Sequence, residues 1–395
     1  MNAFLNFLSN GILDWSLGQM VVYTLIVTHI TIASVTIYLH RHSAHRALDL
    51  HPIPAHFFRF WLWLTSGQHT KEWTSIHRKH HAKCETEEDP HSPVTKGLST
   101  VLWQGADLYR IEAKNKETLQ KYGAGTPDDW MERHVYTPLT FYGIILMLLI
   151  DFVLFGFAGI TIWAIQMAWI PFFAAGVING IGHWWGYRNF DSPDTSTNIS
   201  PWGMLIGGEE LHNNHHTYAT SAKFSSKWYE FDLGWCYIRV LSALGLAKVK
   251  KTIPKAVFVD NVPVDEHTLE SIIKNRYEVM ASYAQSLRQS VKAEIEVLHA
   301  TNESAAQRLL AIRKSLLRDT DHISGDVVAR VEQNIVVSPT VQKLYEMRNE
   351  LALLWRRSSL TRDELLAHLH DWCERAEQSG IEVLQRFSLQ LRTYR

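Results

Sequence analysis

Apolar positions crowd the first half of the chain in runs too long and too weakly charged for a water-soluble core. From Trp15 to Leu39 no residue is charged. As a helix that stretch would rise about 37 Å, enough to cross a hydrocarbon layer of about 30 Å with some tilt. It has neither the charged start nor the small-residue cleavage site of a signal peptide, so it reads as a retained span. From Val135 to Tyr187 the sole formal charge is Asp151. That length predicts two spans folded as a hairpin near Gly156 and Gly159, the second kinked by Pro171. Pro54–Gly67 is apolar and aromatic but short, with Arg59 inside it, and suits a helix lying in the interface. Ala3–Leu13 is a shorter apolar stretch, and its full insertion would put the N-terminus inside.

Orientation follows from the cations. Residues 1–40 hold no Lys or Arg, whereas Arg41, Arg46, Lys71, Arg78, Lys79 and Lys83 follow closely. The positive-inside rule then puts the N-terminus outside and everything from His40 onward in the cytosol, with the hairpin going out and back.

The pattern changes near Asp260. Thr268 to His299 reads as one helical run, with Ile273, Tyr277, Met280, Tyr283, Leu287, Val291 and Ile295 on one packing stripe. Ser338-Pro339 offers a cap and a first-turn proline ahead of Val341, Leu344, Met347, Leu351 and Leu354, and Thr361-x-x-Glu364 is a capping box. The expected fold is all-α: an integral-membrane helical domain with a cytosolic, histidine-rich cap over residues 1–255, and a soluble helical extension over residues 256–395.

Composition sharpens this division. The mean hydropathy of −0.13 averages two unlike halves. Thirteen of the 15 Trp lie before residue 236 and 16 of the 21 His before residue 217. Lys plus Arg is 39 against 40 for Asp plus Glu, so no basic excess points to nucleic acid. Three scattered cysteines exclude a disulfide framework, a thiolate zinc site and a four-cysteine iron–sulfur cluster within one chain.

The histidines fall into four clusters, all on the expected cytosolic face: His40-Arg-His42-Ser-Ala-His45, His77-Arg-Lys-His80-His81, Asn179-Gly-Ile-Gly-His183 and His212-Asn-Asn-His215-His216. On a helix, H-x-x-H-H sets imidazoles at i, i+3 and i+4 on one face, and Asn179 and His183 are one turn apart. Neutral imidazole ligates Fe, Zn, Cu and Ni, and eight or nine together make sense around more than one ion. Without metal they would carry unpaired ring nitrogens or repelling charges. A structural zinc site needs only four ligands. Glu209-x-x-His212 matches the Glu-x-x-His element of carboxylate di-iron bundles, but Pro90 interrupts the other match, Glu88-x-x-His91. A histidine-dominated iron pair fits better. It suggests oxygen activation, and the abundant unactivated C–H bonds at a membrane are those of acyl chains. His29, inside the first span, reads as a polar helix contact, and the spacing of His42 to His40 turns it to another face of a continuing helix.

From about His40 to Lys250 the chain resembles the integral-membrane fatty acyl desaturases, especially bacterial Δ9-type enzymes of the pseudomonad sort. The likeness rests on His40–His45 as an H-x-x-x-x-H box, on the two H-x-x-H-H boxes, on Asn179-x-x-x-His183, and on EWTSIHRKHH, EEDPHSP, GHWWGYRNF, GEELHNNHHTY and ALGLAKVK. It implies two iron ions ligated by His40, His45, His77, His80, His81, His183, His212, His215 and His216, with Asn179 holding a water ligand. It implies O₂ and two electrons as co-substrates, with paired hydrogens removed from adjacent methylenes to leave a cis double bond and water. Trp73 matches a tryptophan lining the kinked acyl tunnel of animal relatives. Gly176 stands where those relatives carry another tryptophan, and they have two spans before the first box. The implied setting is multi-pass in the bacterial inner membrane, with the active site on the cytosolic face. The substrate is an acyl-CoA or a phospholipid, and electrons come from a separate ferredoxin-, rubredoxin- or cytochrome-like protein with its reductase. Residues beyond about 260 lie outside the resemblance and read as a helical appendage for self-association or for docking a reductase partner.

Two rivals stand beside the desaturase reading. One is a hydroxylase, since the same iron pair can return oxygen to the substrate. The other is a non-enzymatic membrane metal-handling protein, although the hairpin is nearly free of the ionisable residues of an ion pathway.

Overall fold

The computed structural model describes residues 2–259, 263–356 and 360–395. The chain forms two compact units, residues 1–188 with 194–253, and residues 189–193 with 254–395. Both are helical. The only sheet pairings of more than one residue among the described residues are Leu48–Leu50 with Ala247–Val249, antiparallel, and Trp202–Gly203 with Phe231–Asp232, parallel.

In the first unit α1 (Asn2–Asn10) is too short to cross a bilayer. Phe7 meets Phe152 edge-on, and Ile12 donates its backbone N–H to Val153, so this segment folds onto the helical hairpin. A Ser16–Gln19 capping box starts α2 (Leu17–Ser34), which runs directly into a π-helix, Val35–Ala44. Together Leu17–Ala44 are long and apolar enough to cross a membrane. Next come α3 (Pro52–Thr65), α4 (Thr70–Lys83), α5 (Pro93–Lys96), α6 (Leu98–Glu112) and α7 (Lys116–Tyr122). Helix α3 buries Phe58, Leu62 and Trp63 while Ile53, Phe57 and Phe60 stay exposed. The charge inside it is satisfied, because Arg59 donates to Asp129 at 2.5 Å and to Glu132 at 2.7 Å.

The hairpin is α8 (Thr140–Phe155) and α9 (Phe157–Ile170), and α9 continues as a second long π-helix, Pro171–Ile181. Gly156 makes the turn at φ +60°, a conformation other residues adopt only at a cost. Phe157–Ile181 is the second stretch long and apolar enough to span, while Thr140–Phe155 is apolar but shorter. Asp151, the lone charge of this region, is buried and accepts a 2.9 Å hydrogen bond from the Tyr23 hydroxyl. Gly105 lets α6 touch the second π-helix, since a Cβ there would lie 2.6 Å from the Ala175 carbonyl. The unit closes with α10 (His212–Thr217) and α11 (Leu233–Ala243).

The second unit is a bundle of α12 (Glu266–Lys274), α13 (Arg276–Thr301), α14 (Glu303–Ile312), α15 (Gly325–Ile335), α16 (Pro339–Arg356), α17 (Arg362–Gln378) and α18 (Glu382–Arg392). The run expected to be continuous from Thr268 to His299 is broken at Asn275 (φ −100°, ψ 17°), whose side-chain amide donates back to the Ser271 carbonyl. The change of direction leaves Tyr283, Leu287, Val291 and Ile295 in the core and Ile273 and Met280 at its margin. Ser338 caps α16 and the Thr361–Glu364 box caps α17. Val341, Leu344, Met347, Leu351 and Leu354 are all buried.

Candidate metal centre and adjoining cavity

His40 and His45 owe their alignment to the π-helix. An α-helix would rotate positions i and i+5 about 140° apart, whereas the wider π turn closes its hydrogen bonds from i to i+5 and brings them back to one face. The His45 N–H accordingly donates to the His40 carbonyl, and the two rings lie 5.0 Å apart. His77, His80 and His81 share the buried side of α4, and His212, His215 and His216 that of α10. His183 follows the second π-helix, one turn after Asn179.

The rings gather into two adjoining groups. In the first, ligand atoms of His40, His45, His77, His81 and His215 all lie within 4.8 Å of one another. In the second, those of His80, His183, His216 and Cys84 do the same, and the Nε2 of His212 is 3.0 Å from that of His183. All nine histidines named from the sequence are thus brought together. His42 turns away to the Leu48 carbonyl, and His29 contacts the Tyr237 hydroxyl.

Carboxylates hold the rear nitrogens. The Nδ1 of His40 is 2.7 Å from Glu209, that of His80 3.0 Å from Asp89, and that of His216 2.8 Å from Asp194. The Nδ1 of His183 lies 3.5 Å from Glu85. An ionised carboxylate only accepts, so each close Nδ1 carries the proton and its Nε2 presents a lone pair. The Nε2 of His215 touches both the Nε2 of His40, at 3.0 Å, and that of His81, at 2.9 Å, and a single proton cannot bridge both. The buried Nε2 atoms of His80 and His216 meet no protein partner among the described residues. This donor set, lone pairs converging from nine imidazoles in two groups, fits two metal ions.

Electrostatics favours the ligand form. Burial, then the neighbouring imidazoles, pushes His45, His77, His81, His212 and His215 well below the usual histidine range, so these rings are neutral at pH 7. Against the upward pull of burial, His80 holds Asp89, and His40 holds Glu209, below the usual carboxylate range. Burial, reinforced by Asp194, Asp89 and Glu85, pushes the Cys84 thiol up and keeps it protonated.

A cavity of about 600 Å³ adjoins the histidines, with His40, His77, His212 and Asn179 on its wall. Trp73 also lines it, stacked on His77 with ring centroids 4.8 Å apart. The remaining wall is largely apolar, including Ile144, Met167, Ile170, Ala174 and Ile178. Its volume suits a chain-like small molecule.

The family model described as fatty acid desaturase matches residues 17–240, more than half of the chain and every histidine of both groups. The chain belongs to the fatty acid desaturase family. Similar desaturases include a probable chloroplastic lipid desaturase of Arabidopsis thaliana, 32% identical over 219 residues, covering 54% of this chain and 58% of the relative. An acyl-CoA 5-desaturase of Anemone leveillei is 30% identical over 257 residues, covering 61% and 71%. An sn-1 stearoyl-lipid 9-desaturase of Synechocystis is 30% identical over 229 residues, covering 57% and 70%. The chain thus spans 58% of the length of the first of these curated desaturases and about seven tenths of the other two. Residues 262–395 match a different family model, described as transposase, which covers about a third of the chain and marks a likeness of that region alone.

Beyond the residues expected from the sequence, the structure adds the four carboxylates and His91. His91 is buried with an unpartnered Nε2, lines the cavity, and lies with His80 and Asp89 in a third close group. Glu209, in the turn before α10, supports His40 rather than pairing with His212. Asp89 stands in EEDPHSP and Glu209 in GEELH, while Glu85 and Asp194 lie outside both, and only the tertiary fold shows which histidine each one holds.

Proposed function

We propose that the protein is a membrane fatty acyl desaturase that introduces a cis double bond, at the Δ9 position, into a saturated acyl chain carried on CoA or on a phospholipid. The observation that carries this reading is the convergence of nine imidazoles in two groups beside a largely apolar cavity. An iron pair held by His40, His45, His77, His80, His81, His183, His212, His215 and His216, with Asn179 acting through a water, supplies when bound the oxygen activation that unactivated methylenes require.

The chain's own residues do the rest. Asp89, Asp194 and Glu209 fix the tautomer and direction of His80, His216 and His40, which keeps the Nε2 lone pairs aimed inward. The apolar wall orients the acyl chain and excludes water. Trp73, stacked against His77, narrows the lane where the reacting methylenes pass the histidines. Electrons come from a separate ferredoxin-, rubredoxin- or cytochrome-like donor with its reductase. The proposed setting is the bacterial inner membrane, crossed more than once, with the histidines on the cytosolic face and residues 256–395 as a cytosolic helical extension. The names of the relatives include both lipid-linked and CoA-linked desaturases, so both carriers are tested.

The test is mass spectrometry of lipid from cells expressing the protein, with the double bond located and with CoA-bound and phospholipid-bound substrates compared. A new cis alkene is the expected product. Hydroxylated chains instead would favour the hydroxylase reading, and tightly bound metal with unchanged lipid would favour metal handling.

A further inference from the structure

Residues 189–193 are an excursion of the chain. They belong to the second unit, while Arg188 before them and Asp194 after them belong to the first. The excursion carries one carboxylate, Asp191, and a cradle of the second unit receives it. Arg318 pairs with Asp191 at 2.6 Å, His322 lies at 3.4 Å and Arg348 at 3.7 Å, and the Asp319 backbone N–H donates to it at 2.5 Å. The cradle is itself held. Arg348 is 1% exposed and donates to the carbonyls of Leu317, at 3.1 Å, and Arg318, at 3.0 Å, which fixes the turn that presents Asp319. The base of the excursion is closed by Arg188, which donates to the carbonyls of Asp194, at 2.8 Å, and Ser196, at 3.0 Å. Asp194 is the residue that holds the Nδ1 of His216. Only Ser192 and Pro193 separate it from Asp191, and the proline's fixed φ limits the slack between them.

We propose that Asp191 is a positioning residue of the metal centre: gripped by the second unit, it fixes the loop from which Asp194 reaches His216. The helical extension then governs how firmly the second histidine group keeps its ion. This rests on the metal centre of the desaturase reading. A carboxylate orients a ligating histidine only as well as its own backbone is held. Asp191→Asn removes the negative charge that the cradle's cations surround and loosens the loop. It alters no histidine and no carboxylate that holds one.

The iron-loaded full-length protein, wild type or variant, is mixed with excess ferrous chelator, and the release of each iron is followed by absorbance. In Asp191→Asn one of the two irons should leave about three- to tenfold faster, a fraction of the 10- to 100-fold effect of losing a histidine's direct partner. The other should leave at the wild-type rate. In an Asp194→Asn background, Asp191→Asn should add nothing further, because the two residues act through one path. Unchanged release in Asp191→Asn overturns the proposal. So does equal acceleration of both irons, or an effect that multiplies with that of Asp194→Asn, since Asp191 would then be general support of the fold. If Asp191→Asn fails to accumulate, Arg318→Gln carries the same criteria, because it removes the closest cation of the cradle without touching the loop. A wild-type chain that holds no iron overturns the metal centre itself, and this proposal falls with it.

Discussion

Asp89 offers the sharpest test of how the protein holds its metal. Both of its buried oxygens face the Nδ1 of His80, at 3.0 and 3.1 Å, and they also accept the backbone N–H groups of Glu85, at 2.8 Å, and His91, at 3.1 Å. Asp89→Asn keeps the shape but turns one acceptor into a donor. One of the backbone N–H groups then faces an NH₂ and is left unpaired in a buried site, costing about 1–3 kcal/mol of stability. The change also removes the negative charge that fixes the His80 tautomer. Loss of such a partner lowers metal affinity by about 10- to 100-fold, or about 1.4–2.7 kcal/mol. The assay is chelator competition on purified protein with iron content as the readout, alongside thermal unfolding of the chelated form. An affinity within about twofold of wild type would refute the reasoning, because the carboxylate would then do nothing for its histidine.

Further perturbations separate ligand, packing and bystander roles. His80→Ala and His215→Ala, one from each histidine group, should abolish unsaturated product while both proteins still fractionate with membranes; retained product in either case removes that residue from the ligand set. Cys84→Ser should remain active, since burial keeps the thiol protonated; a strong loss of iron in this variant would make Cys84 a ligand. Gly105→Val should lower the yield of folded protein, because its Cβ would press on the Ala175 carbonyl, and monodispersity in detergent reports it. Leu351→Ala, in the core of the second unit, should cost about 2–5 kcal/mol in denaturant unfolding of that unit.

The two H-x-x-H-H boxes were legible in the sequence because they sit on α-helices, where i, i+3 and i+4 share a face whatever the tertiary fold. The hairpin at Gly156 and the caps at Ser338 and Thr361 were legible for the same reason, being local. The geometry behind His40 and His45 was not, since α-helical spacing separates them and only the π-helix realigns them. The carboxylates were hidden for another reason: Glu209 and His40 are far apart in sequence, and no periodicity links them. Arg41 reads in the sequence as a flanking cation, yet it is buried, pairs with Asp232 at 2.9 Å and lies over the Phe224 ring. The break at Asn275 leaves no mark in the sequence pattern, because apolar spacing continues across it and the side-chain bond that ends α12 is polar.

Metal analysis of the purified full-length protein bears most directly on the central claim. Two irons per chain are expected, falling to one or none when His80 or His215 is replaced by alanine. A chain that saturates with a single ion, or holds iron equally well without those two rings, would contradict a paired centre built from nine histidines.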